Sequence, residues 1–239
     1  MHKEPPRTSK HLPYEVDPQN RGHFYENYWK HCALKLLEKH VPGKSNNTVL
    51  DYGCGRGETL DIFGCAGFKV VGADIDPHCV KLSKSFGEAH VLDPENPVAQ
   101  FGAGSFDIVT CFHVLEHVEN PKRTLNQLRE IARNYVVLAV PNLRHLHSFG
   151  AKQIQLHIIN EGHLQSWDHL YLLNLAERHC GLKLVEWGFD ATILPIVSNL
   201  TWKLLGTKAT VALETGIFRR LFPFHGISVI GLFKVQDRS

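Results

Sequence analysis

The chain has 239 residues, 43% of them apolar and 21% charged, a globular composition long enough to bury a large core without disulfide or metal staples. Lys and Arg total 26 against 24 Asp and Glu, a net charge of +2, which leaves no polyelectrolyte footprint for nucleic acid and argues against such a partner. Apolar runs fall far short of the roughly 18 residues of a membrane span, and the start MHKEPPRTSK lacks signal-peptide character. A soluble, cytoplasmic protein without a transmembrane segment is expected, with free thiols at Cys32, Cys54, Cys65, Cys79, Cys111 and Cys180.

Residues 1–21 are polar and aperiodic, a flexible tail ahead of a domain expected over 22–239. From Gly22 the positions Phe24, Tyr28, Cys32, Leu36 and His40 recur every fourth residue, which predicts a helix ending near Pro42-Gly43. Strands are then predicted at 48–52, 69–74, 89–92, 106–112 and 135–140. Helices fall between them: Glu58 to Phe63, one from Pro77 to a stop at Gly87, and one from Pro121. Nearly continuous apolar strands alternating with helices imply an α/β fold whose parallel sheet is covered on both faces. After Pro141 the rhythm breaks into a histidine-rich connection, 142–165, longer than most loops. Ser166 is expected to cap a helix running to His179-Cys180, followed by strands at 183–189 and 227–235. Between those two strands, about 191–225, helical spacing (Ile196, Leu200, Leu204; Val211, Leu213, Ile217, Leu221) predicts an inserted helical lid.

The first strand runs directly into Asp51-Tyr52-Gly53-Cys54-Gly55-Arg56-Gly57 and a helix. Glycines let backbone N–H groups approach an anionic group, and the helix start adds its positive dipole end. A carboxylate at Asp51 can receive a ligand ammonium. The second strand ends in Val70-Val71-Gly72-Ala73-Asp74-Ile75-Asp76, where an acid can accept both hydroxyls of a ribose. Asp76 is placed to cap the helix at Pro77, so Asp74 is the ribose candidate and Ile75 the cover for an adenine face. Asp93, at the third strand's end, is either an acceptor for an adenine amino group or a turn residue before Pro94. A dinucleotide fingerprint would read G-x-G-x-x-G; this turn reads G-x-G-x-G.

The segments VLDYGCGRGETL, VVGADID, FDIVTCFHVLEHVENP and LVEWGF resemble those of the class I S-adenosylmethionine-dependent methyltransferases over about residues 45–190. FDIV…LEHV is most similar to the small-molecule group that includes the ubiquinone-biosynthesis O-methyltransferases. The resemblance implies a Rossmann-like, seven-stranded, mostly parallel sheet of order 3-2-1-4-5-7-6, the last strand antiparallel, with helices on both faces. It implies S-adenosyl-L-methionine across the C-terminal ends of strands 1 to 3, with S-adenosyl-L-homocysteine as product. Asp51, Gly53, Cys54 and Gly55 would hold the methionine part, Asp74 and Ile75 the nucleoside, and Asp93 the adenine edge. Cys111, Phe112 and His113 would lie beside the methyl group.

A sulfonium methyl is already a strong electrophile, so the protein must chiefly align a nucleophile about 3 Å away, exclude water and manage a proton. His113 and His117 are the general-base candidates, since an imidazole titrates near neutrality; His117 alternatively only bonds within its loop. Related enzymes carry Glu-x-x-Glu-His at this place and bind a divalent ion. Here the segment is His113-x-x-Glu116-His117, and a metal on these three is the less favoured reading, with His145, His147, His157 or His163 able to complete a site. A zinc protease would need the motif on a helix, and His113 directly follows a strand. Tyr25, Tyr28 and Trp29, with the loop carrying His163 and Trp167, either close over the site or pack in the core. Arg219-Arg220-Leu221-Phe222-Pro223-Phe224 is expected as a buried lid edge in preference to a membrane or substrate contact. The expected activity is methyl transfer to an oxygen or nitrogen of a small molecule, with an RNA methyltransferase or an inactive cofactor-binding partner subunit as alternatives. Acceptor identity and oligomeric state are not written in these patterns.

Overall fold

Helix α1 (Arg21–His40) opens the computed structural model, which describes residues 21–146 and 162–236. The tail before Arg21, and with it His147 and His157, lies outside the described residues. Then follow β1 (Thr48–Tyr52), α2 (Glu58–Cys65), β2 (Lys69–Asp74), α3 (Pro77–Ser83), β3 (Glu88–Val91), α4 (Pro97–Phe101), β4 (Phe106–Phe112), α5 (Pro121–Ile131) and β5 (Ala132–Pro141). Strands β1, β2 and β4 coincide with their expected bounds. Prolines at the first turns of α3 and α5 supply a preset φ, and side chains finish the caps: Asp76 accepts from the His78 N–H at 2.8 Å, and Asn120 from that of Arg123 at 3.0 Å. Helix α3 stops at Ser83, short of Gly87, where the Phe86 N–H turns back onto the Ser83 carbonyl at 2.9 Å. The short α4 has no counterpart among the expected elements.

All seven strands form one sheet of order β3-β2-β1-β4-β5-β7-β6, in which β7 (Ser228–Val235) runs antiparallel to β5 and to β6 (Leu182–Phe189). The apolar run of β5 is explained by cover on both faces. Val136, Leu138 and Val140 pack with Leu125, Leu128 and Leu172 on one side, whereas Val137 and Ala139 pack with Leu36, Leu37 and Phe63 on the other.

The helix after β5 departs from expectation. Its cap is Asp168, whose Oδ1 accepts the N–H groups of Leu170 and Tyr171 at 2.9 Å each, rather than Ser166. The chain before it is held extended, with Leu164 and Gln165 donating to the Glu116 carbonyl (2.7 and 3.0 Å) and Trp167 bridged to Asn142, so no helix can begin earlier. The resulting α6 (His169–Leu173) widens into a π-helical stretch, Asn174–His179, where a continuous α-helix was expected. Between β6 and β7 lie α7 (Pro195–Leu213), broken at Gly206 (φ 78°, ψ 178°), a π turn at Glu214–Phe218 and the short α8 (Arg219–Leu221). All six cysteines are free, and no described helix is long and apolar enough to cross a membrane.

Candidate active site

The turn after β1 is shaped by backbone demands that only glycine meets easily. A Cβ on Gly57, at φ +95°, would stand 2.8 Å from the Ser83 backbone, whereas one on Gly55, at φ +52°, would meet nothing within 4 Å. Gly57 therefore serves helix–loop packing, and Gly55 faces open space. The N–H groups of Gly53 and Cys54 both donate to the Ala73 carbonyl (2.7 and 3.0 Å), tying the tips of β1 and β2 together. The Cys54 side chain turns inward among Leu60, Val80 and Ala89, and burial pushes its thiol up to about 12, so only its backbone serves the turn.

Asp51 lies beneath this turn, 1% exposed, where its Oδ1 accepts the Thr110 hydroxyl at 2.6 Å. Burial pushes its carboxyl up to about 6, against the pull of hydrogen bonds from Thr110 and Thr59. At the tip of β2, Asp74 accepts the Gly55 N–H (2.8 Å) on one oxygen and the Asp76 N–H (2.9 Å) on the other, while its neighbour Ile75 is 66% exposed. Asp93 is exposed and occupied locally: its Oδ1 accepts from the Glu95 and Asn96 N–H groups (3.0 and 3.3 Å) and its Oδ2 from the Asn96 amide (3.3 Å), with Asn96 first and Glu95 second in holding its carboxyl below the usual range. Beside it opens a cavity of about 240 Å³ lined by Tyr52, Pro94, Val118 and Arg123.

At the end of β4, Cys111 is wholly buried, and Phe112 packs edge-on against Trp29 (5.1 Å) and Phe63 (6.2 Å). His113 follows as the first partly open side chain. Among the described residues it is the one non-glycine with positive φ, 54°, a conformation that persists only where its surroundings enforce it. Its N–H donates to the Ala139 carbonyl at 2.8 Å, and its ring lies 4.7 Å from that of Trp29. Nδ1 is 3.3 Å from Glu116 Oε1, and Nε2 is 3.3 Å from the Ser228 hydroxyl.

Behind Ser228 stands Asp190, 2% exposed, whose two oxygens accept the Ser228 N–H at 3.1 Å each and which the Ser228 side chain also bonds. Burial pushes the Asp190 carboxyl up to about 7, against the pull of Ser228. Both ring nitrogens of His113 therefore face oxygen, Nε2 the Ser228 hydroxyl and Nδ1 the Glu116 carboxylate. Asp190 and Ser228 were not among the sequence candidates. Asp190 follows β6 at the same C-terminal sheet edge as Asp51 and Asp74, and that placement was the available signal.

The loop after β4 forms a second cluster. Ligand atoms of Glu116, His117 and His163 lie within 4.8 Å of one another, so His163 takes the place that the sequence reading gave to His113. His113 touches Glu116 through Nδ1 but lies outside this three-residue cluster, engaged also by Ser228 and Trp29. His117 places Nδ1 2.8 Å from the Gly162 carbonyl, which makes Nε2 its ligand nitrogen. Glu116 is 1% exposed, and neither carboxylate oxygen has a hydrogen-bond partner. One carboxylate and two imidazoles suit a divalent first-row ion.

The expected covering aromatics divide. Trp29 touches His113, but the Tyr25 hydroxyl donates to Glu214, and Tyr28 bonds Thr215 and Cys32, with burial pushing its hydroxyl up to about 12. These tyrosines join α1 to the π turn before α8. Trp167 is buried in the core, and His163 packs on His117 with ring centres 4.9 Å apart.

A family profile described as "Methyltransferase domain" matches residues 21–186. Curated relatives include the ubiquinone biosynthesis O-methyltransferases of Acinetobacter baylyi, 27% identical over 107 residues (42% of this chain, 45% of that protein), and of Aromatoleum aromaticum, 34% identical over 98 residues (38% and 42%). The match thus spans less than half the length of these relatives. Among solved structures, a SAM-dependent methyltransferase from Archaeoglobus fulgidus has a TM-score of 0.60 at 20% identity, covering 88% of this chain and 97% of that one. Magnesium protoporphyrin IX methyltransferase from Synechocystis, crystallised with bound SAH, has a TM-score of 0.58 at 17% identity, covering 89% and 83%. The [4+2]-cyclase SpnF also shares the fold, with a TM-score of 0.57 at 13% identity, covering 87% and 81%, so the fold alone does not fix the reaction.

Proposed function

Because this chain belongs to the methyltransferase-domain family, we propose that it transfers the methyl group of S-adenosylmethionine to an oxygen or nitrogen of a small-molecule acceptor. The observation that carries the reading is the convergence at one sheet edge of Asp51, Asp74 and His113, at the tips of the adjacent strands β1, β2 and β4. When bound, the donor supplies an electrophilic methyl on a sulfonium. Asp51, buried beneath the turn, accepts the amino-acid ammonium. The open side of Gly55 admits the methionine part, and Asp74 accepts the ribose hydroxyls by sharing the oxygen now bonded to Gly55. The exposed Ile75 covers the adenine, whose amino edge falls to Asp93.

The His113 imidazole, positioned between Ser228 and Glu116, takes the acceptor proton, and Trp29 keeps water from that ring. His117 is the second base candidate. Glu116, His117 and His163 are the residues that would hold a divalent ion, whose charge would make an acceptor hydroxyl more acidic. The likeness to ubiquinone biosynthesis O-methyltransferases and the near-neutral net charge support a small acceptor over RNA.

S-adenosylhomocysteine should raise the melting temperature while NAD does not, by mass action on the folded state; no shift at millimolar ligand would defeat the donor assignment. A screen of metabolite and RNA pools with methyl-labelled donor then decides the acceptor. Label in RNA would replace the small-molecule reading, and bound donor with no labelled product in any pool would make the chain an inactive partner subunit.

A further inference from the structure

The connection between β6 and β7 is built inside out. In the first segment of α7, Ile196, Leu200 and Leu204 recur every fourth residue on one helix face and are 86%, 55% and 72% exposed. Leu205 is also largely exposed. The buried side chains of α7 are three hydroxyls and Val211. Ser198, Thr207 and Thr210 are buried, Thr210 donates to Thr201 at 3.3 Å, the Trp202 indole donates to Thr207 at 3.0 Å, and Ser198 accepts the Leu194 N–H at 3.1 Å. A helix facing water on its outer side has the opposite polarity. Ile217 and Leu221 are exposed as well, which overturns the expected burial of the Arg219–Phe224 stretch: Leu221 is 66% exposed and Phe222 is 37% exposed.

Charge restricts what can cover this surface. Residues 191–226 carry Lys203, Lys208, Arg219 and Arg220, and their single acid, Glu214, is fully buried against Tyr25. Lys203 lies on the face of Ile196 and Leu204. At the foot of the connection is a cavity of about 380 Å³, floored by Cys32, Leu36 and Phe189 and rimmed by Lys35, Arg219 and Arg220. Lys39 closes one end in an ion pair with Glu186 at 2.6 Å. A second copy of the chain would bring the same four cations face to face. An anionic bilayer offers an apolar phase and counter-charge together.

We propose that the β6–β7 connection is a peripheral docking surface for an anionic phospholipid bilayer. Ile196, Leu200, Leu204 and Leu221 enter the headgroup–acyl boundary, and the Lys35–Arg219–Arg220 cavity receives a lipid phosphate.

The test is co-sedimentation of the full chain with vesicles of phosphatidylcholine alone or with about one-third phosphatidylglycerol, at low and high salt. Binding is expected to the anionic vesicles only and to weaken with salt. The double variant Leu200→Gln, Leu204→Gln should lose about tenfold or more, and Lys203→Ala or Lys35→Ala about fivefold each. All four side chains are exposed, so an unchanged melting temperature verifies that the variants fold. No binding to anionic vesicles, equal binding to neutral ones, or binding indifferent to the double variant would overturn the proposal. So would a dimer in light scattering that the double variant dissolves, since the face would then belong to a second copy. The readout does not depend on methyl transfer.

Discussion

The two ends of the sheet obey different rules. From β1 to β5 the central strands β1, β4 and β5 are buried along most of their length, α2 and α5 turn Leu60, Ile62, Phe63, Leu125, Leu128 and Ile131 inward, and polar groups gather at the C-terminal edge where Asp51, Asp74 and His113 lie. From β6 to β7 the connection turns hydroxyls inward and leucines outward, while its neighbouring strand ends supply the buried pair Asp190 and Ser228. The first region is organised to bind a ligand at strand tips. The second is organised around one base, His113, and around something outside the chain. Damage to the first should therefore appear as lost donor affinity, and damage to the second as altered proton handling or stability with donor affinity intact.

The largest effect is expected at the seam between the regions. His113→Ala should lower kcat by about 10²- to 10⁴-fold with the dissociation constant for S-adenosylhomocysteine unchanged, as calorimetry and steady-state rates would show. A weakened ligand with a normal rate would place His113 among the donor-binding residues instead. Ser228→Ala should lower kcat by about tenfold, the scale of one lost neutral hydrogen bond, and shift the acid limb of the rate profile, where a general base loses its proton, which a merely structural change would not move.

Asp51→Asn should weaken donor binding by about 2 to 3 kcal/mol, the worth of a buried charge-assisted bond. Because burial raises the Asp51 carboxyl to about 6, the wild type should lose donor affinity as pH falls below that value, and the variant should be flat across the same range. Asp74→Ala should cost about 1 to 3 kcal/mol of donor affinity, whereas Asp93→Ala, whose carboxylate already serves its own turn, should leave donor affinity nearly unchanged.

For Asp190 the readout is stability. The unfolded chain releases this proton near 3.8 and the folded chain near 7, so between those values the folded state holds more protons and stability falls as pH rises, levelling off above about 7. Asp190→Asn removes that contribution, and its melting temperature should gain on the wild type from pH 5 to 7. Parallel curves would mean that Asp190 is ionised in the folded protein throughout.

Local chemistry was legible wherever one residue type answers one backbone need. Pro77 and Pro121 open α3 and α5, Asp76 caps α3, and the turn after β1 carries glycines at positive φ. The β-branched runs that became β1, β2 and β4 were readable because a strand buried on both faces tolerates little else. Illegible were the features that depend on a second segment's arrival: the start of α6 at Asp168, delayed by bonds to Glu116, and the choice of His163 rather than His113 beside Glu116 and His117.

Hydrophobic period, caps and turn glycines determined the alternation of strands and helices and the carboxylates at the strand ends, because these are local properties that neighbours only reinforce, while the strand order of the sheet was implied by the resemblance to class I methyltransferases. Tertiary structure decided that His113 stands between Ser228 and Glu116, that Asp190 lies behind Ser228, and that the α7 leucines face outward. Each of these depends on the spatial meeting of groups far apart in the chain, and helical spacing gives the same pattern whether an apolar face turns toward a core or away from it.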